Sequence, residues 1–304
     1  MPVPLQAFLL IFVAGAALRS TGVLGKPHAE RLAWFVFSFS LPATILISLD
    51  RTAFAPTAWK LPLAACLVTL PMLLSAWWLS RLLRLPRATQ GGFLIATGCI
   101  NSVYFAYPVA LATFGEQGLA QAILFDLGQT TLTLTVIYGL AVWYGAAGGS
   151  MKPALRRFLS SPPLWALAVS LLLSLLGWHL PAWLLQALTP LHLTTTPLAS
   201  LVLGLAISFS ALQRTLSLAL VGVAWRMGGG FLLGLGAAWL LSLSGIERAI
   251  VLLVAAMPSA ITAVIFATDT SLDEDLVTSI VALSICLGVI LLPWLPHLAQ
   301  FLER

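Results

Sequence analysis

Two short stretches of the sequence combine polar side chains with a proline inside an apolar run. The first is NSVYFAYP over 101–108, and the second, VAAMPSAITAVIFATD, is centred on Pro258. Proline removes a backbone N–H and clashes with the carbonyl four residues back, so each stretch predicts a kinked or broken helix. The polar residues ahead of the first proline are Asn101, Ser102, Tyr104 and Tyr107, and the proline is Pro108. At membrane depth a broken helix persists only where it is buried in protein or lines a cavity, so we expect a binding site here.

The composition decides what kind of element carries these stretches. Hydrophobic residues make up 60% of the 304 residues and charged residues 8%, whereas a soluble domain has about 25% charged residues. The chain is therefore predicted to be an integral membrane protein. A membrane-spanning helix needs about 20 mostly apolar residues, which leaves room for about ten spans and almost nothing for a soluble domain. The first ten residues lack a basic segment, so we expect a first span rather than a signal peptide.

Charges, prolines and glycines bound the apolar runs and predict ten helices. Their ranges are 4–19, 30–49, 59–80, 90–114, 118–144, 162–178, 193–212, 216–243, 247–267 and 275–299. Basic residues in alternate connections outnumber those in the remaining connections by ten to three. The positive-inside rule then places the first group of connections in the cytoplasm and both termini outside.

A linker rich in Gly, Ser, Pro and basic residues divides the predicted spans into two equal groups. We place the first half at 1–149, the cytoplasmic linker at 150–163 and the second half at 164–304. Five spans per half give the second half the opposite orientation, so similar halves would be inverted repeats. Pro42 corresponds to Pro197 when the two halves are compared. Pro108 corresponds to Pro258, and these two prolines lie in the fourth span of their halves.

Two ionisable residues lie inside predicted spans. Asp126 and Arg226 each cost at least about 2.5 to 3.5 kcal/mol to place in the membrane, so each needs the protein interior, water or a partner. They could pair with each other, which is a structural role. Alternatively, Arg226 is the counter-charge of an anionic substrate and Asp126 accepts a coupling proton. Asn101 has a similar pair of interpretations, an interhelical hydrogen bond or a substrate ligand.

Other chemistry finds little support in the sequence. The three cysteines have neither disulfide nor metal spacing, and no cofactor or metal is expected. Basic residues fall between apolar runs, which argues against nucleic acid. No enzyme motif is present, and an enzyme is not expected. A histidine proton switch is a minor hypothesis; the histidines are assigned to outer span ends (His179, His192, His297) and to a cytoplasmic loop (His28).

These stretches resemble the auxin efflux carrier family of bacterial and plant transporters. The resemblance rests on NSVYFAYP with FGEQGLA at 114–120, on LFDLGQT at 124–130, and on AAMPSAITAVIFATD at 255–269. FSLPATILISL at 39–49 and PLASLVLG at 197–204 match as well, so the resemblance covers most of the chain. It implies an all-α membrane protein with ten spans in two inverted five-helix repeats, similar in fold to bile acid/sodium symporters and NhaA-type antiporters. Scaffold and transport parts would both draw on each repeat, and two proline-broken helices would cross.

The resemblance also implies a function. We expect a secondary efflux carrier of small organic anions, chiefly carboxylates, that works by alternating access in a bacterial inner membrane. The expected substrate-binding residues are Asn101, Ser102, Tyr104, Tyr107, Pro108, Arg226, Met257, Pro258, Ser259 and Thr262, with Asp126 and Gln129 as coupling or polar support. A sodium- or proton-coupled importer or antiporter and a channel stay open as alternatives. The expected partners are the anion and the lipid bilayer, and a homodimer is left open.

Overall fold

The structure, a computed structural model, describes residues 3–51, 57–145, 156, 159–207 and 212–294. These residues are helical apart from short connections and one isolated bridge. In chain order the α-helices are α1 (Val3–Ser20), α2 (Lys26–Phe35), α3 (Leu41–Asp50), α4 (Lys60–Leu82), α5 (Arg87–Gly98), α6 (Tyr107–Leu132), α7 (Tyr138–Tyr144), α8 (Pro162–Leu176), α9 (Ala182–Ala206), α10 (Leu212–Val223), α11 (Gly230–Leu240), α12 (Gly245–Ala255), α13 (Ile261–Thr270) and α14 (Glu274–Leu291). Short π-helical segments occupy Val36–Ser40, Ser102–Ala106, Thr133–Ile137 and Ala224–Gly229.

Seven helical stretches among the described residues are long and apolar enough to cross a membrane. They are Val3–Ser20, Pro27–Asp50, Lys60–Leu82, Ser102–Tyr144, Ala182–Ala206, Leu212–Leu240 and Glu274–Trp294. Shorter apolar helices lie at Pro162–Leu176 and Ile261–Thr270. The chain is therefore an all-helical, multi-pass membrane protein, as the composition predicts.

Several boundaries differ from the predicted ones for identifiable reasons. The predicted spans 90–114 and 118–144 meet in one helical stretch whose internal break is Gly115, at φ 65° and ψ −160°. The helix predicted from 193 begins at Ala182 and carries Pro190 inside it. Membrane helices tolerate such a proline because neighbouring groups satisfy the freed backbone. Most of the predicted linker 150–163 lies outside the described residues.

The prediction that the first helix breaks at Pro108 is wrong in its position. The interruption lies at Cys99–Asn101, after α5, and Pro108 is the second residue of α6. A π-helical segment precedes both Pro108 and Pro42, and the residue four before each proline lies within it. The wider π turn accommodates the ring where a regular turn would clash. Each proline therefore stays within a helical run.

The chain divides into two compact units. The first comprises Met1–Ala58, Val103–Ile123 and Arg156–Ile207. Within it α9 packs against α1, α2 and α3, and α3 also packs against α8. The α1 and α9 backbones approach so closely that a Cβ on Gly204 would lie 2.2 Å from the carbonyl oxygen of Phe12. In this unit α9 is the central helix.

The second unit comprises Trp59–Ser102, Leu124–Leu155 and Ser208–Arg304. Within it α5 packs against α4, α7 and α14, while α11 packs against α4 and α12. The chain is buried over residues 90–98 of α5 and 249–255 of α12. Two short buried helices thus end inside this unit, and their ends need partners.

Candidate functional site

The two helix interruptions of the second unit pair with each other through their backbones. The first is Cys99–Asn101, and the second is the segment Ala256–Ala260 between α12 and α13. Asn101 N–H donates to the Pro258 carbonyl at 2.9 Å, and Ala260 N–H donates to the Cys99 carbonyl at 3.1 Å. Ile100 and Ser259 form the antiparallel bridge between them. Each interruption thereby satisfies backbone groups that the other leaves free, and we call this pair of segments the crossing.

Polar side chains predicted for substrate binding hold the crossing together. The Ser259 hydroxyl donates to the carbonyl of Ala96 at 2.6 Å, and Ser259 N–H donates to the Ser284 hydroxyl at 3.0 Å. The Asn101 amide donates to the Ser259 carbonyl at 3.4 Å. The structure brings Asn101 and Ser259 together, and the Ser259 hydroxyl proton is already used within the protein.

Arg226 lies where α5 and α12 end, and its guanidinium is fully buried. Nη1 donates to the Thr97 carbonyl at 2.9 Å, and Nη2 donates to the Ala255 carbonyl. The C-terminus of a helix carries about half a negative charge, so one guanidinium neutralises two helix ends. The structure thus directs Arg226 to main-chain oxygens, a role that differs from the predicted fork around a substrate carboxylate.

The local sequence around Arg226 suits this position. The residue lies in the π-helical segment Ala224–Gly229, and Gly230 follows it. A Cβ on Gly230 would lie 2.1 Å from the Ala255 carbonyl oxygen and 2.5 Å from Arg226 Nη2. Glycine is required at this position because the backbone of α12 and the guanidinium leave no space for a side chain.

Gln129 satisfies a further carbonyl at the same helix end. Its buried amide donates from Nε2 to the Gly98 carbonyl at 3.0 Å, and its Oε1 accepts from the Thr69 hydroxyl. Asp126, also on α6, is half-buried and accepts a hydrogen bond from Thr130 at 3.2 Å. Gln129 therefore supports the crossing directly.

The helix starts beyond the crossing offer a different set of groups. Ser102 begins the segment after the first interruption, and its buried hydroxyl has no hydrogen-bond partner among the described residues. Beyond the second interruption α13 starts at Ile261, with Thr262 half-buried and Met257 and Pro258 buried. The first N–H groups of a helix lack partners within it and favour anions. The start at Ser102 has its own N–H bonded to the Ile100 carbonyl at 3.0 Å, and the helix ends are occupied by Arg226 and Gln129.

The remaining predicted residues belong to the first unit. The Tyr104 hydroxyl donates to the Ala33 carbonyl of α2 at 3.4 Å, and Tyr107 is buried. The neighbouring Phe105 ring packs edge-on against Phe8, with centroids 5.5 Å apart. Both tyrosines thus contribute to packing in the first unit, as does Pro108.

One polar cluster of the first unit was not predicted from the sequence. His192 on α9 lies 3.1 Å from Glu116 and 3.3 Å from Thr44. The sequence gives no spacing signal, because 76 residues separate His192 from Glu116 and 148 separate it from Thr44. No group of three or more His, Cys, Asp or Glu side chains that could hold a metal ion occurs in the described part of the chain.

Comparison with known proteins agrees with these features. A family model described as membrane transport protein matches residues 3–147 and 149–296. An uncharacterized transporter of Methanothermobacter thermautotrophicus is 30% identical over 289 residues, which cover 94% of each chain. An uncharacterized transporter of Methanocaldococcus jannaschii is 28% identical over 291 residues, covering 91% of this chain and 92% of the relative.

Proposed function

Since the chain belongs to the membrane transport protein family, that of the auxin efflux carriers, we propose that it is a secondary carrier that exports small organic anions, chiefly carboxylates. The observation that carries this proposal is the crossing, where two interrupted helices pair through Asn101, Pro258 and Ala260. Secondary transporters bind substrates at such discontinuous helices and expose the site alternately to the two sides.

The proposal includes a span arrangement. Ten spans result if Ser102–Tyr144 is divided at Gly115 and α8 spans as a short helix. In addition, α5 and the helical stretch from Ser102 to Phe114 together form one broken span. The second broken span consists of α12 and α13. The halves are then 1–149 and 164–304 around the linker 150–163, as inverted repeats with both termini outside a bacterial inner membrane. Each compact unit draws residues from both halves, which supports separate scaffold and transport parts.

The charges at the crossing favour an anion as substrate. In this proposal the start of α13 at Ile261 presents N–H groups and partial positive charge to a carboxylate. The Ser102 hydroxyl, which has no hydrogen-bond partner within the described part, and Thr262 donate hydrogen bonds to it. Asn101 fixes the backbone that orients them.

Arg226 supports a sodium-free mechanism over a sodium-coupled importer. In ion-coupled carriers, unwound carbonyls and the C-terminal ends of half-helices coordinate the cation. Here Arg226 donates to the carbonyls of Thr97 and Ala255 at those ends. A tethered guanidinium thus supplies the positive charge that a bound sodium ion supplies elsewhere.

Counterflow in liposomes tests the proposed function. The purified protein is reconstituted and loaded with mono- and dicarboxylates or indole-acetate, and exchange of the labelled anion is followed. We expect saturable exchange of one anion class and a loss of roughly tenfold or more in Asn101→Ala, since a membrane hydrogen bond is worth up to about 2 kcal/mol. Thr131→Ala is the control, because Thr131 is exposed and its hydroxyl donates to the Leu127 carbonyl of its own helix. Flux without saturation or counterflow would indicate a channel, and full transport by Asn101→Ala would refute the assigned site.

A further inference from the structure

The His192 cluster of the first unit joins α3, α9 and the residue after Gly115. His192 is 6% exposed and lies about 15 Å along α9 from its start, at 1.5 Å per residue. Nδ1 of its ring is 3.3 Å from the Thr44 hydroxyl, and Nε2 is 3.1 Å from Glu116 Oε1. Each ring nitrogen thus has a partner, and the hydrogen-bonding capacity of that partner limits the proton that the nitrogen can carry.

Thr44 determines the proton on Nδ1. Its single hydroxyl proton is donated to the Ser40 carbonyl at 2.9 Å, and its oxygen also lies 2.7 Å from the Thr195 hydroxyl. With that proton directed to Ser40, the Thr44 oxygen can accept from the ring. The geometry therefore allows His192 Nδ1 to donate to Thr44.

Glu116 determines the proton on Nε2. Its second oxygen, Oε2, accepts a hydrogen bond from Ser48 at 2.8 Å, and Arg51 Nη1 lies 3.9 Å from Oε1. These neighbours stabilise the ionised carboxylate, which can only accept hydrogen bonds. With an oxygen within reach of each ring nitrogen, the ring can hold a proton on both nitrogens beside a carboxylate.

We propose that His192, Glu116 and Thr44 form a proton-binding site of the first unit. The Glu116 side chain is 30% exposed and the Arg51 side chain 46% exposed, so a proton from water can reach Glu116 Oε1 and pass to His192 Nε2. Release follows the reverse path. Deprotonation leaves the ring with one N–H. If that N–H stays with Glu116, the Thr44 hydroxyl must turn from the Ser40 carbonyl to Nδ1. Proton binding thus makes or breaks the hydrogen bond between Thr44 and Ser40, at the end of the π-helical segment Val36–Ser40.

Other charged groups of the unit do not enter the site. The elements packed against α9 carry Arg19 on α1, Asp50 and Arg51 at the end of α3, and His28, Glu30 and Arg31 among the described side chains of α2. Asp50 accepts from Leu180 N–H at 2.7 Å and lies 3.6 Å from His179. Among described ion pairs, Arg51 is the one cation besides His192 next to Glu116.

Solid-state ¹⁵N NMR of the histidine rings in proteoliposomes tests the site without any transport. Replacing His28, His179 and His297 with Gln leaves His192 as the one labelled ring. We expect two protonated ring nitrogens at neutral pH and one unprotonated nitrogen once Glu116→Gln removes the counter-charge. A neutral His192 ring at neutral pH in the otherwise wild-type site would overturn the proposal, as would an imidazolium that persists unchanged in Glu116→Gln.

Transport shows whether the proton acts on the carrier, and this part of the inference rests on the proposed function. We expect wild-type counterflow to fall when alkaline pH removes the proton, and this fall to be absent in His192→Gln. Identical pH profiles for the two proteins would refute the link to transport. A chain that moves none of the anions but shows the imidazolium would refute the proposed substrate and leave the proton site intact.

Discussion

Each of the two units contains a buried polar cluster with an ionisable side chain, and the two clusters are built from different partners. At the crossing, the ionisable side chain Arg226 bonds to carbonyls of the main chain. In the first unit, the ionisable side chains His192 and Glu116 bond to each other. A guanidinium keeps its proton in proteins, and its carbonyl partners do not titrate, so the charge at the crossing is fixed. In the proposed site of the first unit, an imidazole can gain or lose a proton beside a carboxylate. A buried charge is thus permanent in one unit and exchangeable in the other.

Removing the fixed charge should have the largest effect. Arg226→Gln leaves the carbonyls of Thr97 and Ala255 without their donors, and each buried unsatisfied group costs about 1 to 3 kcal/mol. We expect a large drop in melting temperature in detergent and loss of counterflow. Arg214→Gln is the control, because Arg214 is exposed.

Chemical rescue separates the charge from the fold. Free guanidinium, at concentrations too low to unfold the protein, should restore part of the stability and counterflow of Arg226→Ala. It should leave the wild type unchanged. A stable, active Arg226→Gln variant would mean that the helix ends do not need a cation.

Two glycines next to Arg226 test the close packing at the crossing with a smaller change. Gly230→Ala places a Cβ 2.1 Å from the Ala255 carbonyl oxygen, whereas a Cβ on Gly228 meets nothing within 4 Å. We expect Gly230→Ala to lose about 1 to 3 kcal/mol in the free energy of unfolding through overpacking. Gly228→Ala should be neutral or slightly stabilising, since alanine favours a helix. Equal melting temperatures for the two variants would contradict the close approach of α12.

The smallest effects should distinguish the two serines of the crossing. Ser259→Ala removes the hydrogen bond to the Ala96 carbonyl and should cost about 0.6 to 2 kcal/mol of stability. Ser102→Ala removes a buried hydroxyl that has no partner among the described residues, so stability should hold. The anion concentration that half-saturates counterflow by Ser102→Ala should rise about two- to tenfold, because the substrate loses one hydrogen bond. Unchanged anion affinity in Ser102→Ala would remove this residue from the site.

The sequence predicted the class of fold better than the position of its breaks. Composition and apolar runs were sufficient for an all-helical membrane protein, and the break around Pro258 follows from its proline. The break at Cys99–Asn101 has no such signal. Pro108 does not end its helix, because the π-helical segment before it relieves the clash. A proline indicates where the helical turn before it must change its geometry. Tertiary contacts decide whether the helix then breaks.

The candidate site was predictable in its residues and not in their partners. Arg226 was singled out because it is a charged residue inside an apolar run. Its partners are main-chain carbonyls, which every residue has, so the sequence does not show which ones it contacts. Asn101 and Ser259 were identified from polar residues near proline, and their mutual contact required the fold. His192 and Glu116 lie 76 residues apart in different helical stretches, so only their packing reveals them as a pair.

Sodium dependence of counterflow tests whether Arg226 takes the place of a coupling cation at the helix ends. Wild-type protein in liposomes is assayed with the exchanged anion in sodium buffer and in a matched buffer in which a large organic cation replaces sodium. Because Arg226 already neutralises the helix ends, we predict equal saturable exchange in the two buffers. Exchange that requires sodium would contradict the account and identify a sodium-coupled carrier.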